Sequence, residues 1–142
     1  MTHLLDTDHL TILQTHTGPD YAMLMVNMSH HPVGEVGASV VSLHEQALGA
    51  NAAINGAKLR AALLRGYFHM FNVIESYRSL PLAPFDAAAA AEFDNLKAAK
   101  IRVGTMDLRI AAIALANNLV LVTRNTRDFN QVPGLMIEDW TK

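Results

Sequence analysis

Asp107 opens the stretch "GTMDLRIAAIAL" (104–115), an almost wholly apolar helical segment. On a helical wheel Ile110, Ala111 and Ala114 share its face, whereas Arg109, the nearest charge in sequence, points to the opposite side. A carboxylate aimed at the interior is costly unless something pairs with it. Three more acids follow apolar segments. Asp6 closes "HLLD" (3–6), Glu45 comes just after the β-branched "VGASVVS" (36–42), and Asp128 trails "NLVLVT" (118–123) by a few residues. Acids gathered at one place raise one another's pKa, and burial raises it further. A hard divalent cation such as Mg²⁺, which prefers carboxylate oxygen, resolves both problems. The free N–H groups of a helix start also favour an anionic Asp107. Taken singly, each acid has an ordinary assignment. Asp6 and Asp8 suit a turn or a helix cap, and "SLHE" (42–45) matches a capping box in which Glu45 reaches back to Ser42. Thr105 suits an N-cap, which makes an acid at 107 common first-turn decoration, and Asp128 suits a turn. The joint placement of the four points to a metal site.

Joint placement requires elements that bring the acids to one rim. The pattern predicts a short strand over 3–6, helices over 9–16 and 18–31 (the second with Pro19 in its first turn), and a buried strand over 36–42. A helix over 42–55 and a long helix over 57–79, ended by Pro81, follow. "LPLAPF" (80–85) reads as a short strand or extended link; Asp86 then caps a helix, with Phe85 as a staple residue before it. The remaining elements are a helix over 105–118, an apolar strand over 118–123 and a last short strand within 135–139. Strands separated by helices predict an α/β fold with a mainly parallel sheet covered on both faces. In such sheets the chemistry collects at the carboxyl ends of the strands, where Asp6, Glu45 and Asp128 fall. In the long helix Leu59, Leu63, Leu64, Tyr67, Met70, Phe71 and Ile74 recur at helical spacing, as core or dimer contact.

The composition, 51% hydrophobic and 17% charged, suits one domain spanning 1–142. The absence of cysteine excludes disulfides and thiolate metal sites. The seven histidines, His3, His9, His16, His30, His31, His44 and His69, show no paired zinc spacing. A net charge of −2 counts against a protein that grips nucleic acid by charge alone. Any such function would rest on a local basic patch or on metal ions bridging phosphates to acids. No apolar run approaches the ~18 residues of a membrane helix, and no basic-then-apolar leader opens the chain, so a cytoplasmic location is expected.

Four segments together, "LLDTDHL" (4–10), "SVVSLHEQ" (39–46), "GTMDLRIAAIALANNLVLVTRNTRDF" (104–129) and "VPGLMIEDW" (132–140), resemble PIN-domain ribonucleases. They are closest to the VapC-type toxins of type II toxin–antitoxin modules. The likeness runs from Leu4 to Trp140 in the family's order, and its late stretch is the most specific. It implies a PIN-like doubly wound, mainly parallel four- to five-stranded sheet flanked by helices. It also implies a Mg²⁺- or Mn²⁺-dependent endoribonuclease that hydrolyses RNA phosphodiester bonds with metal-activated water, leaving 5′-phosphate and 3′-hydroxyl ends. Asp6, Glu45 and Asp107 match the family's acidic metal positions, with Asp6 and Asp107 as direct ligands. The fourth position departs from the pattern: many members carry an acid where this chain has Asn125, and here the acid stands three residues later at Asp128. Either residue would complete the site, with one metal or two. Thr7 and Thr123 are placed to hydrogen-bond the ligand carboxylates. Arg124 and Arg127 flank the site as RNA contacts; Lys97, Lys100 and Arg102 precede the Asp107 helix, and the lysines read as solvated charges. Single-stranded or looped RNA suits such a site better than duplex. The implied partners are RNA, a VapB-like antitoxin blocking the acidic cleft, and a second copy of the chain. Two other readings compete. One is a non-catalytic α/β protein-interaction module using "AMLMVNM" (22–28) and the long helix. The other is a haloacid-dehalogenase-like phosphatase, because "LDTDHLT" (5–11) approximates D-x-D-x-T, although Leu10 stands where threonine or valine belongs.

Overall fold

The computed structural model describes residues 1–142. In chain order the elements are β1 (His3–Leu5), α1 (Thr7–Thr15), α2 (Pro19–Ser29), β2 (Val36–Ser39), α3 (Val40–Gly56) and α4 (Arg60–Tyr77). They continue as β3 (Leu82–Ala83), α5 (Ala87–Ala98), α6 (Thr105–Ala116), β4 (Val120–Val122), α7 (Thr126–Phe129) and β5 (Ile137–Glu138). The five strands form one sheet in the order β3-β2-β1-β4-β5, and every pairing is parallel. β1 is central: Leu4 pairs with Gly37 on one side and Leu121 on the other. The direction of strand succession reverses between β1 and β4, so the crevice at their carboxyl ends is the topological switch point.

A parallel sheet must be buried on both faces, and the strand alternation here divides the core accordingly. Leu4 and Leu121 join Leu108, Ile110, Ile113 and Phe129 on one face, under α5 and α6. Leu5, Val36, Ala38 and Val122 join Leu10, Leu24, Val73 and Tyr77 on the other, under α1, α2 and α4. Pro19 takes the first position of α2, and Asp86 caps α5 by accepting the Ala89 N–H at 3.0 Å, both as expected.

Two expectations are corrected, and the α4 stripe, read as core or dimer contact, loses the first of those alternatives. The strand over 36–42 stops at Ser39, because the Ser39 side chain accepts the Ser42 N–H and starts α3 there. The β-branched Val40 and Val41 therefore open a helix instead of ending a strand. Helix α6 is preceded by Gly104 with no side-chain cap, so Thr105 does not act as one. The apolar stripe of α4 does not belong to the core of this chain. Leu59, Leu64, Tyr67, Phe71 and Ile74 are more than half exposed, and α4 buries Gly66, Val73 and Tyr77 instead.

Gly37, in β2, lies against the residues that lead into β1 and β3. A Cβ built there would meet the Pro81 carbonyl oxygen and the Met1 methyl carbon, each at 2.6 Å. The methionine can move, but the carbonyl is backbone and also accepts the Ala38 N–H at 2.9 Å. Gly37→Ala is expected to destabilise the protein by about 1–3 kcal/mol, the usual cost of overpacking. Thermal unfolding followed by circular dichroism should show a drop of several degrees in Tm; an unchanged Tm would mean that β3 shifts freely.

Candidate active site

Asp6 leaves the end of β1 and caps α1, with its side chain 7% exposed. Its Oδ1 accepts the His9 backbone N–H at 2.8 Å and lies 3.0 Å from His9 Nδ1. The next residue, Thr7, donates its hydroxyl to Glu45 Oε1 at 2.7 Å, reaching from α1 to α3. Thr7 Oγ1 is also 3.1 Å from Ser42 Oγ, which is 3.2 Å from Ser39 Oγ, so a row of hydroxyls joins the starts of the two helices. Glu45 is thus not half of a capping box. Ser39 supplies the cap, three residues earlier than "SLHE" suggests, and Glu45 is held by Thr7 of α1.

Asp107 stands in the first turn of α6. Its carboxyl is pushed up to about 6 by burial, with further contributions from Glu45, Asp6 and Asp128. The four acids therefore share one electrostatic site, although they come from α3, α6, α7 and the end of β1. Asp128 lies in the short α7, where Asn125 Nδ2 donates to its Oδ2 at 3.0 Å and Asn125 Oδ1 caps its N–H at 3.4 Å. The two candidates for the fourth position act together, the amide orienting the acid. Thr7 bonds a candidate ligand as expected. Thr123 does not: its buried hydroxyl oxygen accepts the Asn125 N–H at 2.9 Å and shapes the turn after β4.

No lysine or arginine forms an ion pair with Asp6, Glu45, Asp107 or Asp128. The nearby cations are engaged elsewhere. Arg124 grips Asp8 with two hydrogen bonds of 2.6 and 2.9 Å and takes Asp20 with a third of 2.8 Å. It ties the turn after β4 to the first turns of α1 and α2, so its guanidinium is not a free RNA contact. Arg109 lies 5.6 Å from the centre of the Phe93 ring, and Arg127 is exposed with no partner. Donor atoms of Asp6, Asp8 and His9 also lie within 4.8 Å of one another, a grouping able to hold an ion. In that trio Asp8 is taken by Arg124, and Asp6 Oδ1 and His9 Nδ1 satisfy each other. The set of Asp6, Glu45, Asp107 and Asp128 is more widely spaced than that trio but is electrostatically joined at Asp107. It offers several carboxylate oxygens, a residual negative charge that shows in Asp107, and no cationic side chain among them.

His9 is the residue that motif reading passed over. Spacing rules tested the histidines as zinc ligands, whereas this one serves an acid. The available signal was its place three residues after the cap Asp6 and just before Leu10 and Ile12, which α1 buries with it.

No protein-family model matches the chain. Over 74 residues it is 40% identical to the tRNA(fMet)-specific endonuclease VapC of Shigella flexneri, covering 49% of this chain and 56% of that protein. It is 38% identical over 73 residues to the protein of the same name from Salmonella typhimurium, covering 48% and 55%. The chain spans about half the length of the curated relatives it matches. Among solved structures, VapBC2 from Rickettsia felis, bound to a DNA fragment from its promoter, shares the fold with a TM-score of 0.76. That match covers 99% of each chain at 21% identity. DNA-bound VapBC from Salmonella typhimurium matches with a TM-score of 0.73 at 27% identity, covering 99% of this chain and 98% of the other. The resemblance read from the sequence therefore holds: this chain is similar to the VapC-type ribonucleases in sequence over about half its length and in fold over nearly all of it.

Proposed function

We propose that this chain is a divalent-metal-dependent endoribonuclease and the toxin of a type II toxin–antitoxin pair. The observation that carries the reading is Asp107, whose carboxyl is raised first by burial and further by three other acids, with no cationic side chain to offset them. Asp6, Glu45 and Asp107 would hold Mg²⁺ or Mn²⁺, and Asp128, oriented by Asn125, completes the acidic set. When bound, the cation supplies Lewis acidity toward a phosphate oxygen and toward an attacking water. The chain's own part is positioning. Thr7 fixes one Glu45 oxygen, His9 fixes one Asp6 oxygen, and the free N–H groups at the start of α6 favour ionised Asp107. Arg127, exposed and unpaired, is the better RNA phosphate contact. Arg124 is the weaker one, since Asp8 and Asp20 already occupy it.

The partner set follows from the same reading. A VapB-like antitoxin is supported by the VapBC complexes among the structural neighbours. The uncovered apolar face of α4 supports contact with a partner chain, either the antitoxin or a second copy. No helix is long and apolar enough to cross a membrane, which is consistent with a site of action in the cytoplasm.

The direct test is cleavage of labelled single-stranded RNA and of total transfer RNA by antitoxin-free protein, with Mg²⁺, Mn²⁺ or chelator, followed by mapping of the ends. Metal-dependent cuts leaving 5′-phosphates are expected. Asp107→Asn should reduce the rate by ~10²–10³-fold or more, the scale for removing one stabiliser of transition-state charge. Near-full activity in that variant would remove Asp107 from the site. Absence of both cleavage and Mn²⁺ binding would favour the interaction module.

A second prediction follows from Asp107 alone. Its carboxyl titrates near 6 in the folded chain and near 3.8 when unperturbed, so the folded state holds the proton more tightly between these values. Metal-free stability should therefore fall as pH rises from about 4 to about 6 and stay lowered above that. Asp107→Asn should raise the metal-free Tm near neutral pH by about 3 °C, or about 1 kcal/mol after allowing for solvent screening of this half-exposed group. Mn²⁺ binding by the unaltered protein, measured by calorimetry, should weaken as pH falls through about 6. A lower Tm in the variant would show that the charge is already neutralised within the protein.

A further inference from the structure

We infer that His9 is a positioning residue that commits one Asp6 oxygen to the protein and leaves the other for the metal. The inference rests on the reading of Asp6 as a metal ligand. His9 is fully buried, in a helix whose other buried side chains are Leu10 and Ile12. Both of its short-range donors converge on one atom, Asp6 Oδ1, with the backbone N–H at 2.8 Å and Nδ1 at 3.0 Å. The backbone contact alone is an ordinary N-cap, which leaves the carboxylate free to rock about its terminal torsion. A second donor from the ring fixes the carboxylate plane. It also requires the ring proton to sit on Nδ1, because the carboxylate oxygen can only accept. Oδ2 has no protein partner and is not sealed from solvent, since His9 Nε2 is the single buried side-chain polar atom without a hydrogen bond. Asp6 is thereby set up to bind a cation through one oxygen.

That unpartnered Nε2 is the second observation. Its nearest acid is Asp139 Oδ1 at 4.0 Å, beyond hydrogen-bond range, and that oxygen already takes the Thr141 N–H at 2.9 Å and its hydroxyl at 2.6 Å. A buried polar atom left without a partner costs stability, and a leucine in the same space would not bear that cost. Packing alone therefore gives no reason for a histidine here; the Nδ1 contact to Asp6 does. A purely structural residue loses stability when replaced, whereas a positioning residue of this kind loses metal affinity.

The test uses the full chain without antitoxin: Mn²⁺ titration calorimetry on the unaltered protein, His9→Leu and His9→Asn, with metal-free thermal unfolding of each. The expected result is Mn²⁺ binding by the unaltered protein, about 10-fold weaker binding by His9→Leu, and an equal or higher metal-free Tm for that variant. His9→Asn, whose amide N–H can replace Nδ1–H, should recover most of the affinity. Equal Mn²⁺ affinity in the unaltered protein and His9→Leu would overturn the inference while leaving Asp6 a ligand. No Mn²⁺ binding by the unaltered protein would overturn the metal reading, and the inference with it. Should His9→Leu not fold, the ¹⁵N resonances of the His9 ring in the unaltered protein decide: a proton on Nδ1 supports the inference, and a proton on Nε2 alone overturns it.

Discussion

Parallel strands aim their carboxyl ends in one direction, and here that shared direction forces like charges together. Asp6 arrives at the rim from β1, Glu45 from the helix after β2, Asp107 from the start of α6 and Asp128 from the turn after β4. Burial raises the Asp107 carboxyl, and repulsion from Glu45, Asp6 and Asp128 raises it further. Three of the four acids are tethered, and every tether is an N–H or hydroxyl donor. His9 holds Asp6, Thr7 holds Glu45 and Asn125 holds Asp128. Donors from amides, hydroxyls and an imidazole fix positions without cancelling charge as an arginine would. The repulsion is contained by geometry while the charge stays available to a cation. The buried cores on both faces of the sheet supply the rigidity that this requires.

The arginines follow a complementary rule. Arg124 follows β4 by two residues, and Asp8 and Asp20 hold its guanidinium at the entrance of α1 and α2. Arg109 leaves α6 on the side away from Asp107 and lies over Phe93. Strong internal ion pairs at the rim would compete with a cation for the same carboxylates. Two acids outside the site, Asp8 and Asp20, keep Arg124 from doing so.

Much of this rim was legible from residue order. Acids at the ends of apolar segments, on a chain that alternates strand and helix, have only one edge of a parallel sheet to meet at, and Asp107 was marked by its apolar neighbours. The errors were local. "SLHE" satisfies the capping-box pattern, but where a helix begins depends on where the preceding strand stops, and the Ser39 hydroxyl settles that one turn earlier. Val40 and Val41 favour a strand by shape and yield to that cap. The α4 stripe has helical period, but period reports only that a face is apolar, not whether this chain covers it. Thr123 and His9 were obscured for a common reason. Each acts through a group close in sequence, an amide two residues on or an acid three residues back, where spacing motifs tuned to ligands do not look.

β1 holds the middle of the sheet although it is the first strand in the chain, and its two neighbours lie far apart in sequence. During synthesis β1 can pair with β2 early, but its other edge stays open until Val120–Val122 has left the ribosome. Asp107 and Asp128 emerge in that same final third of the chain. A nascent fragment therefore carries Asp6 and Glu45 without the acids that complete their rim. Translation order itself postpones the acidic cleft until nearly all of the chain is available to fold around it.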